Sequence, residues 1–230
     1  MAETAVKRAP GRGRFITFEG GEGSGKSTQI KALAERLNAA KLRTIVTREP
    51  GGSPGAEIIR HLVLSGMGKL LGPDAETLLF AAARDDHVRA VIEPALSQGI
   101  WVLCDRFSDS TRVYQGRLGQ VAPAVLNAME RVTIGDLKPD LTLILDVPVE
   151  VGLQRAAKRR GTGTADRFEA EGIKFHQQLR EAYQRIAAAE PQRCLLIDAS
   201  AEPDIVAANI WSALHDRFLA EGVDNVASSA

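Results

Sequence analysis

Five short apolar runs recur along the chain, and each is rich in Ile, Val, Leu or Phe. They cover residues 14–19, 44–48, 100–105, 141–146 and 193–198. Continuous apolar runs of this length are typical of strands that are covered on both faces, so we expect five buried strands. Several of the runs end in a charged residue.

Stretches with helical spacing separate these runs. After the first run, apolar side chains at Ile30, Leu33, Ala34 and Leu37 follow the i, i+3, i+4, i+7 pattern. A second set near the end recurs every four residues and comprises Val206, Ile210, Leu214 and Phe218. The alternation predicts an α/β fold, a three-layer sandwich with a five-stranded parallel sheet between helices. Such sheets bind ligands at the carboxyl ends of the strands, where the charged residues lie.

The length of 230 residues suits one large domain. We find no internal repeat and no low-complexity linker. We therefore expect one domain over residues 14–221, with flexible tails at residues 1–13 and 222–230.

Charge and hydropathy narrow the function classes. Lys plus Arg equal Asp plus Glu at 29 each, which argues against a general nucleic-acid binder. No stretch approaches the length of a membrane span, and no apolar block follows the basic N-terminal residues as in a secretory signal. We therefore expect a cytoplasmic protein that contacts neither membrane nor nucleic acid. The two cysteines, Cys104 and Cys194, lie inside predicted strands and are expected to be free buried thiols.

The strongest local signal is a phosphate-binding loop that fits G-x-x-x-x-G-K-[ST] without a mismatch. It follows the first predicted strand and opens the first predicted helix. We expect its residues to bind ATP: Gly20, Gly21, Glu22, Gly23, Ser24, Gly25, Lys26, Ser27 and Thr28. Glycines let backbone N–H groups surround phosphate oxygens, Lys26 would reach the β- and γ-phosphates, and the Ser27 hydroxyl would hold Mg²⁺. The sequence thus predicts the P-loop NTPase fold.

The third apolar run ends in Asp105 and Arg106 at the predicted active edge of the sheet. Asp105 could hold Mg²⁺ opposite Ser27, and Arg106 could clamp a phosphate with two parallel hydrogen bonds. The D-x-x-G and N-K-x-D motifs of GTP switch proteins are absent from the sequence. A small kinase fits this size better than a motor or transport ATPase.

Several further motifs resemble those of bacterial thymidylate kinases, in the family's order. They are Thr47-Arg48-Glu49-Pro50-Gly51-Gly52, Phe80-Ala81-Ala82-Ala83-Arg84, Asp105 through Ser110-Thr111-Arg112-Val113-Tyr114-Gln115-Gly116, Asp146-Val147-Pro148, Lys158-Arg159-Arg160 and Asp166-Arg167-Phe168-Glu169. The resemblance spans residues 14–218. At Arg112 and Val113 the chain departs from the family pattern of Gln and Ala.

The resemblance implies transfer of a phosphoryl group from MgATP to dTMP, with a role for each matching residue. Phe80 would stack on thymine and Arg84, one helical turn on, would hydrogen-bond the base edge; the alternative is a core Phe with a surface Arg. Arg48 and Arg106 would hold the acceptor phosphate, and Glu22 would accept from the sugar 3′-hydroxyl. The remaining implied contacts are Tyr114 against the deoxyribose, Ser110, Thr111 and Gln115 on base and sugar, and Glu49 near the acceptor or metal without a defined role.

Some members of this family carry an arginine inside the phosphate loop, where this chain has Gly23. The resemblance instead implies a mobile lid over residues 157–168 that brings Arg159 or Arg160 to the phosphates, with Arg160 favoured. A solvated basic helix end is the alternative interpretation. The resemblance also implies a homodimer.

Two other functions stay open at this point. One is a kinase for a different monophosphate or for a nucleoside, which would need Glu22 or Glu49 as a base. The other is a module that binds ATP without transferring phosphate. The four histidines, His61, His87, His176 and His215, lack metal-ligand spacing and are assigned no chemistry.

Overall fold

The computed structural model describes residues 11–163 and 168–220. Residues 1–10 and 221–230 of the predicted tails, and residues 164–167 of the predicted lid, lie outside the described residues. The end of the predicted N-terminal tail is tied down. The Arg12 guanidinium donates to both carboxylate oxygens of Glu93 at 2.8 and 2.9 Å, and the Gly13 N–H donates to the Leu96 carbonyl.

All five predicted strands form, and they pair in parallel in the order β2-β3-β1-β4-β5. The strands are β1 (Phe15–Glu19), β2 (Thr44–Arg48), β3 (Trp101–Asp105), β4 (Leu141–Asp146) and β5 (Cys194–Asp198). Helices cover both faces of the sheet, so the predicted α/β sandwich is confirmed. The central strand β1 leads directly into the phosphate loop, which places that loop in the middle of the active edge.

The described helices lie between the strands and after the last one. They are α1 (Lys26–Ala39), α2 (Pro54–Leu64), α3 (Pro73–His87), α4 (Glu93–Ser97), α5 (Ser108–Thr111), α6 (Pro123–Thr133), α7 (Val149–Arg160), α8 (Ile173–Ala189) and α9 (Pro203–Phe218). A 3₁₀ turn covers Met67–Leu71, and π-helical turns extend α3 over Val88–Ile92 and α5 over Arg112–Leu118.

Side chains alternate between the two faces of the sheet, and each face has its own core. On β1, Ile16 and Phe18 pack with α1 and α9, whereas Phe15 packs with α4 on the opposite face. A third cluster joins β4 and β5 to α8. The predicted apolar positions of α1 are buried, and so are Val206, Ile210 and Leu214 of α9.

The prediction for the two cysteines agrees with the structure. Cys104 and Cys194 are free and buried. Burial raises the pKa of the Cys194 thiol to about 12, which keeps it protonated at neutral pH. Within the part of the chain that the structure describes, no helix is both long and apolar enough to cross a membrane.

Candidate active site

A cavity of about 370 Å³ opens at the carboxyl ends of β1, β2 and β3. It brings together most of the residues predicted from the sequence. They are Glu22, Gly23, Ser24, Gly25, Lys26, Ser27, Thr28, Arg48, Glu49, Phe80, Arg84, Asp105, Arg106, Ser110, Thr111, Tyr114, Gln115 and Arg159. Gly20 and Gly21, the first residues of the loop, line a smaller cavity with His176 instead.

The phosphate loop holds its lysine close to its own backbone. The Lys26 ammonium group donates to the carbonyls of Gly20 at 3.1 Å and Gly21 at 2.9 Å, and to the Ser24 hydroxyl at 3.3 Å. Burial, together with the nearby Arg106, lowers the pKa of Lys26 to about 8. An anion entering the loop would favour the charged form and raise this pKa again.

Close contact between the phosphate loop and α7 explains why position 23 is glycine. Gly23 has a φ of +64°, and a Cβ there would lie 1.9 Å from the carbonyl oxygen of Gly152 in α7. In return, a Cβ on Gly152 would lie 2.5 Å from the carbonyl oxygen of Glu22. With α7 in this place, an arginine at position 23 has no room. The same helix carries Arg159 and Arg160 at its C-terminal end.

The two residues predicted to hold the metal are adjacent. Ser27 is at the start of α1, Asp105 ends β3, and the Ser27 hydroxyl donates to Asp105 Oδ2 at 3.0 Å. A hydroxyl and a carboxylate are the hard oxygen ligands that Mg²⁺ prefers, and the pair faces the cavity. These residues therefore fit a magnesium ion.

Arg106 lies at the centre of the cavity and adopts a left-handed backbone conformation, with φ at +71°. Its guanidinium donates to the Gly20 carbonyl, the Ser110 hydroxyl and the Tyr183 hydroxyl at 3.2 to 3.3 Å. It also pairs with Glu22 at 3.0 Å. Burial opposes ionisation of Glu22, but Arg106 and Lys26 outweigh it and lower the pKa of that carboxyl.

The far end of the cavity carries Phe80 and Arg84, which are both buried on α3. The Arg84 guanidinium donates to Glu49 Oε2 at 2.7 Å, to the Thr111 hydroxyl at 3.0 Å and to the Phe107 carbonyl at 3.2 Å. Arg84 is thus no surface residue, and the alternative of a core Phe beside a surface Arg is wrong. Glu49, which had no defined role from the sequence, is the partner of Arg84.

Three other predicted substrate contacts line the same cavity. Arg48 is half-exposed at the rim and pairs with Glu57 at 2.9 Å. Tyr114 and Gln115 are buried in the wall, and the edge of the Tyr114 ring meets Phe168 at a centroid distance of 4.9 Å. The Tyr114 hydroxyl is buried and has no hydrogen-bond partner among the described residues.

Glu169 holds both predicted lid arginines. Arg159 pairs with its Oε1 at 3.0 Å and Arg160 with its Oε2 at 2.8 Å. Arg159 also lines the cavity, and its charge helps to lower the pKa of Glu22. The sequence favoured Arg160 as the arginine that reaches the phosphates. In this conformation it is Arg159, and not Arg160, that lines the cavity.

Arg112, where the chain departs from the family pattern, does not line the cavity and belongs to a cluster of ion pairs beside it. Its guanidinium donates to Asp109 at 2.9 Å and to Glu190 at 2.6 Å. Arg193 donates to both oxygens of Asp109, at 2.7 and 3.0 Å. This cluster ties the turn after β3 to the end of α8, and Val113 beside it is fully buried.

Two residues that the sequence reasoning missed hold Arg106 in place. Glu19 ends β1, is fully buried, and accepts from the Phe107 N–H at 2.8 Å and the Ser110 hydroxyl at 2.6 Å. Tyr183 of α8 donates to the same carboxylate at 2.9 Å. Burial, reinforced by Asp109, raises the pKa of Glu19 to about 7. The acidic end of the first apolar run was a usable signal for Glu19, whereas Tyr183 lies in a helix without any motif.

Comparison with known proteins identifies the family of this chain. A family model described as thymidylate kinase matches residues 18–210. A curated thymidylate kinase from Nitrobacter winogradskyi is 76% identical over 230 residues, covering 100% of both chains. One from Bradyrhizobium diazoefficiens is 76% identical over 219 residues, covering 95% of this chain and 96% of that one.

A solved structure gives the same result for the fold. The crystal structure of thymidylate kinase from Ehrlichia chaffeensis has a TM-score of 0.71 and 31% sequence identity, and it covers 88% of this chain and 99% of its own. The sequence motifs, the cavity and these relatives agree, and the chain belongs to the thymidylate kinase family.

Proposed function

We propose that this protein transfers the γ-phosphoryl group of MgATP directly to the phosphate of dTMP, giving ADP and dTDP for dTTP synthesis. Family membership supports the reaction. The observation that carries the assignment of residues is the single cavity that joins the phosphate loop to Phe80 and Arg84 across Arg106. ATP would occupy the loop end and thymine the α3 end, with the two reacting phosphates between them.

Positive charge around the middle of this cavity suits a reaction between two anions. Phosphoryl transfer depends on positioning and charge neutralisation more than on covalent help from the protein. Lys26 and Arg106 are buried beside the loop, and Arg48 stands at the rim. We propose that Lys26 binds the β- and γ-phosphates and that Arg106 and Arg48 hold the acceptor phosphate.

Ser27 and Asp105 are the proposed magnesium ligands, the latter directly or through water. When bound, the ion would neutralise charge on the phosphates of ATP. The two side chains already lie 3.0 Å apart at the mouth of the loop. Their part is to hold the ion beside the γ-phosphate.

A monophosphate acceptor needs no general base, since its second pKa is about 6 and it is mostly a dianion at neutral pH. The two candidate bases for a nucleoside kinase are engaged elsewhere in the cavity. Glu22 is paired with Arg106, and Glu49 with Arg84. A carboxylate bonded to a guanidinium is a weak base, which supports the monophosphate over a nucleoside.

Lid closure would bring further charge and exclude water, which suppresses wasteful hydrolysis of ATP. Arg159 and Arg160 share one carboxylate partner, Glu169, which they would have to release to reach phosphates. We propose that Arg159 makes the nearer contact because it already lines the cavity. Tyr114 would pack where a ribose 2′-hydroxyl would otherwise lie and so favour deoxyribose.

The test is ADP production from MgATP by the purified full chain, with dTMP, dUMP, UMP, dCMP, AMP, GMP and thymidine offered separately. We expect fast turnover with dTMP, slower turnover with dUMP and little with the rest. The thymine methyl group is a single apolar contact, worth about 1–3 kcal/mol of discrimination. A Lys26→Met variant purified in parallel should lose this activity, which excludes a contaminating kinase.

The other outcomes separate the alternatives. Preference for another monophosphate would keep the phosphoryl-transfer mechanism and discard the base and sugar roles. Turnover with thymidine alone would favour a nucleoside kinase. No acceptor-dependent ADP at all would favour a module that binds ATP without transferring phosphate.

We also propose a homodimer and, from family membership, a cytoplasmic location. An exposed apolar surface spreads over neighbouring elements α2, α3, α6 and the 3₁₀ turn. Its side chains are more than half exposed and comprise Ile58, Met67, Leu70, Leu71, Leu78 and Val132. Helix α3 contacts α2, α6 and the 3₁₀ turn. Exposed apolar side chains on such packed elements are typical of protein interfaces, and a second copy of the chain would cover them.

A further inference from the structure

His87 is fully buried behind the base end of the cavity, and both of its ring nitrogens are engaged. Nε2 lies 2.7 Å from the Thr47 hydroxyl, and Nδ1 lies 3.1 Å from Glu49 Oε1. Thr47 and Glu49 are two residues apart at the end of β2, so their side chains point to the same side of the sheet. The imidazole therefore bridges two positions of one sequence motif.

Glu49 divides its two oxygens between neighbouring residues of α3. Oε1 contacts His87, whereas Oε2 accepts from Arg84 Nε at 2.7 Å. Arg84 and His87 are three residues apart and thus lie on one face of the helix. The Thr111 hydroxyl accepts a hydrogen bond from Nη2 of the same guanidinium at 3.0 Å. Glu49 thus holds the Nε side of Arg84, Thr111 and the Phe107 carbonyl hold Nη2, and His87 holds the other oxygen of Glu49.

The carboxylate partner of the ring assigns a proton to Nδ1. A carboxylate only accepts, so Nδ1 must carry the proton that faces Glu49. The Thr47 hydroxyl, which can donate or accept, satisfies Nε2. Every polar atom of the ring is satisfied in this arrangement, as a group excluded from water requires.

The backbone of Gly52 covers the contact between His87 and Thr47. Gly52 crosses directly over it with a φ of +88°, and a Cβ there would lie 2.5 Å from His87 Nε2 and 2.4 Å from the Thr47 hydroxyl oxygen. A side chain at position 52 would displace the imidazole. The Thr47–Gly52 motif thus binds α3 through Thr47 and Glu49, and its Gly52 packs over the His87–Thr47 contact.

We propose that His87 is a positioning residue for base recognition: through Glu49 it holds the Arg84 guanidinium at the angle that reads the thymine edge. This proposal rests on the role given to Arg84 in the proposed function. Thymine offers a carbonyl acceptor at C4 and cytosine an amino donor, so a correctly aimed guanidinium selects dTMP over dCMP. His87 itself touches no substrate.

Two substitutions of similar size test the contacts of Nδ1 and Nε2 separately. The amide nitrogen of Asn can take the place of Nδ1, so His87→Asn keeps a donor to Glu49 and loses the Thr47 contact. The amide of Gln reaches the place of Nε2, so His87→Gln keeps a contact to Thr47 and leaves Glu49 Oε1 without its donor. Both variants open a comparable gap in the core.

The measurements are KM for dTMP, KM for ATP, the dTMP-to-dCMP ratio of kcat/KM and the melting temperature, all on the full chain. We expect His87→Gln to raise KM for dTMP about tenfold above that of His87→Asn, the size of effect expected for a lost hydrogen bond to a buried charge. The ratio of dTMP to dCMP should fall in the Gln variant, while KM for ATP stays within about twofold of wild type.

Equal KM values for dTMP in the two variants would overturn the proposal, and so would equal changes in KM for dTMP and ATP. If the Gln variant fails to fold, Thr47→Val with His87 retained provides the second test. It removes the Thr47 hydroxyl but keeps the Nδ1–H donor to Glu49, so the dTMP-to-dCMP ratio should stay within about twofold of wild type, and a fall of about tenfold would count against the proposal. Failure of the wild type to phosphorylate dTMP would instead refute the proposed function, whatever the variants do.

Discussion

Arg106 is the residue whose removal tests the proposed chemistry most directly. Arg106→Ala deletes four hydrogen bonds that its guanidinium makes to Gly20, Glu22, Ser110 and Tyr183. It also deletes the positive charge in the middle of the cavity. Glu22 is left as a largely buried carboxylate without its ion-pair partner.

Two separate magnitudes follow for Arg106→Ala. Removing one preorganised donor to the charge that develops in a transition state costs about 10²–10³ in kcat. Breaking a fully buried ion pair costs about 3–5 kcal/mol, and the side chains of Arg106 and Glu22 are 17% and 14% exposed, so we expect about 2–3 kcal/mol. For a chain of this size that lowers the melting temperature by roughly 4–12 °C.

The assay measures kcat with saturating dTMP, the dissociation constant for MgATP and the melting temperature for wild type and variant. ATP affinity should change little, because the phosphate loop and Lys26 remain in place. Arg106→Gly is the matched control, since it removes the same side chain. The left-handed φ of +71° is strained for Ala but free for Gly, so the Gly variant should melt no lower than the Ala variant.

Near-normal turnover of Arg106→Ala would refute the central role of this guanidinium. A loss of ATP binding in step with kcat would show that the loop had collapsed rather than lost a catalytic group. A clearly lower melting temperature for the Gly variant would contradict the inference that this backbone position is strained.

Three further predictions concern the lid, a buried acid and the apolar surface. Arg159→Ala should reduce kcat by at least about tenfold more than Arg160→Ala in the same steady-state assay, and the reverse order would show that closure exchanges the two arginines. Because the pKa of Glu19 is raised to about 7 in the fold from about 4.5 when unfolded, ionisation is disfavoured in the native state, and the free energy of unfolding should fall by about 3 kcal/mol as the pH rises from 4.5 to above 7. In urea unfolding followed between pH 5 and 8, Glu19→Gln should remove most of this decline, and an equal decline in both proteins would assign it to other groups. Leu70→Glu puts a charge on the most exposed side chain of the apolar surface and should shift the protein from dimer to monomer in sedimentation, whereas an unchanged mass would exclude this surface as the interface.

The fold followed closely from local patterns. All five strands were predicted to within one residue at their ends, because strands covered on both faces have continuous apolar sequences. The helix after the phosphate loop was predicted from its apolar spacing, which the buried face of α1 confirms. Residues 12–13 were predicted in a loose tail but are bonded to α4, since a contact over about 80 residues leaves no trace in local sequence.

The site shows the same difference between features fixed by local sequence and features that depend on contacts between distant residues. The sequence by itself determined the phosphate loop, the family and the residues that the cavity gathers, because each belongs to a compact motif whose spacing is fixed by the chemistry of phosphate or base. Tertiary structure alone decided what holds them. Glu19 meets Tyr183 from a distant helix, Glu49 is shared between Arg84 and His87, and Gly23 is fixed by Gly152 of α7. These contacts join residues that are tens of positions apart, and hydrogen bonding and close packing between separate elements bring them together only once the sheet has formed.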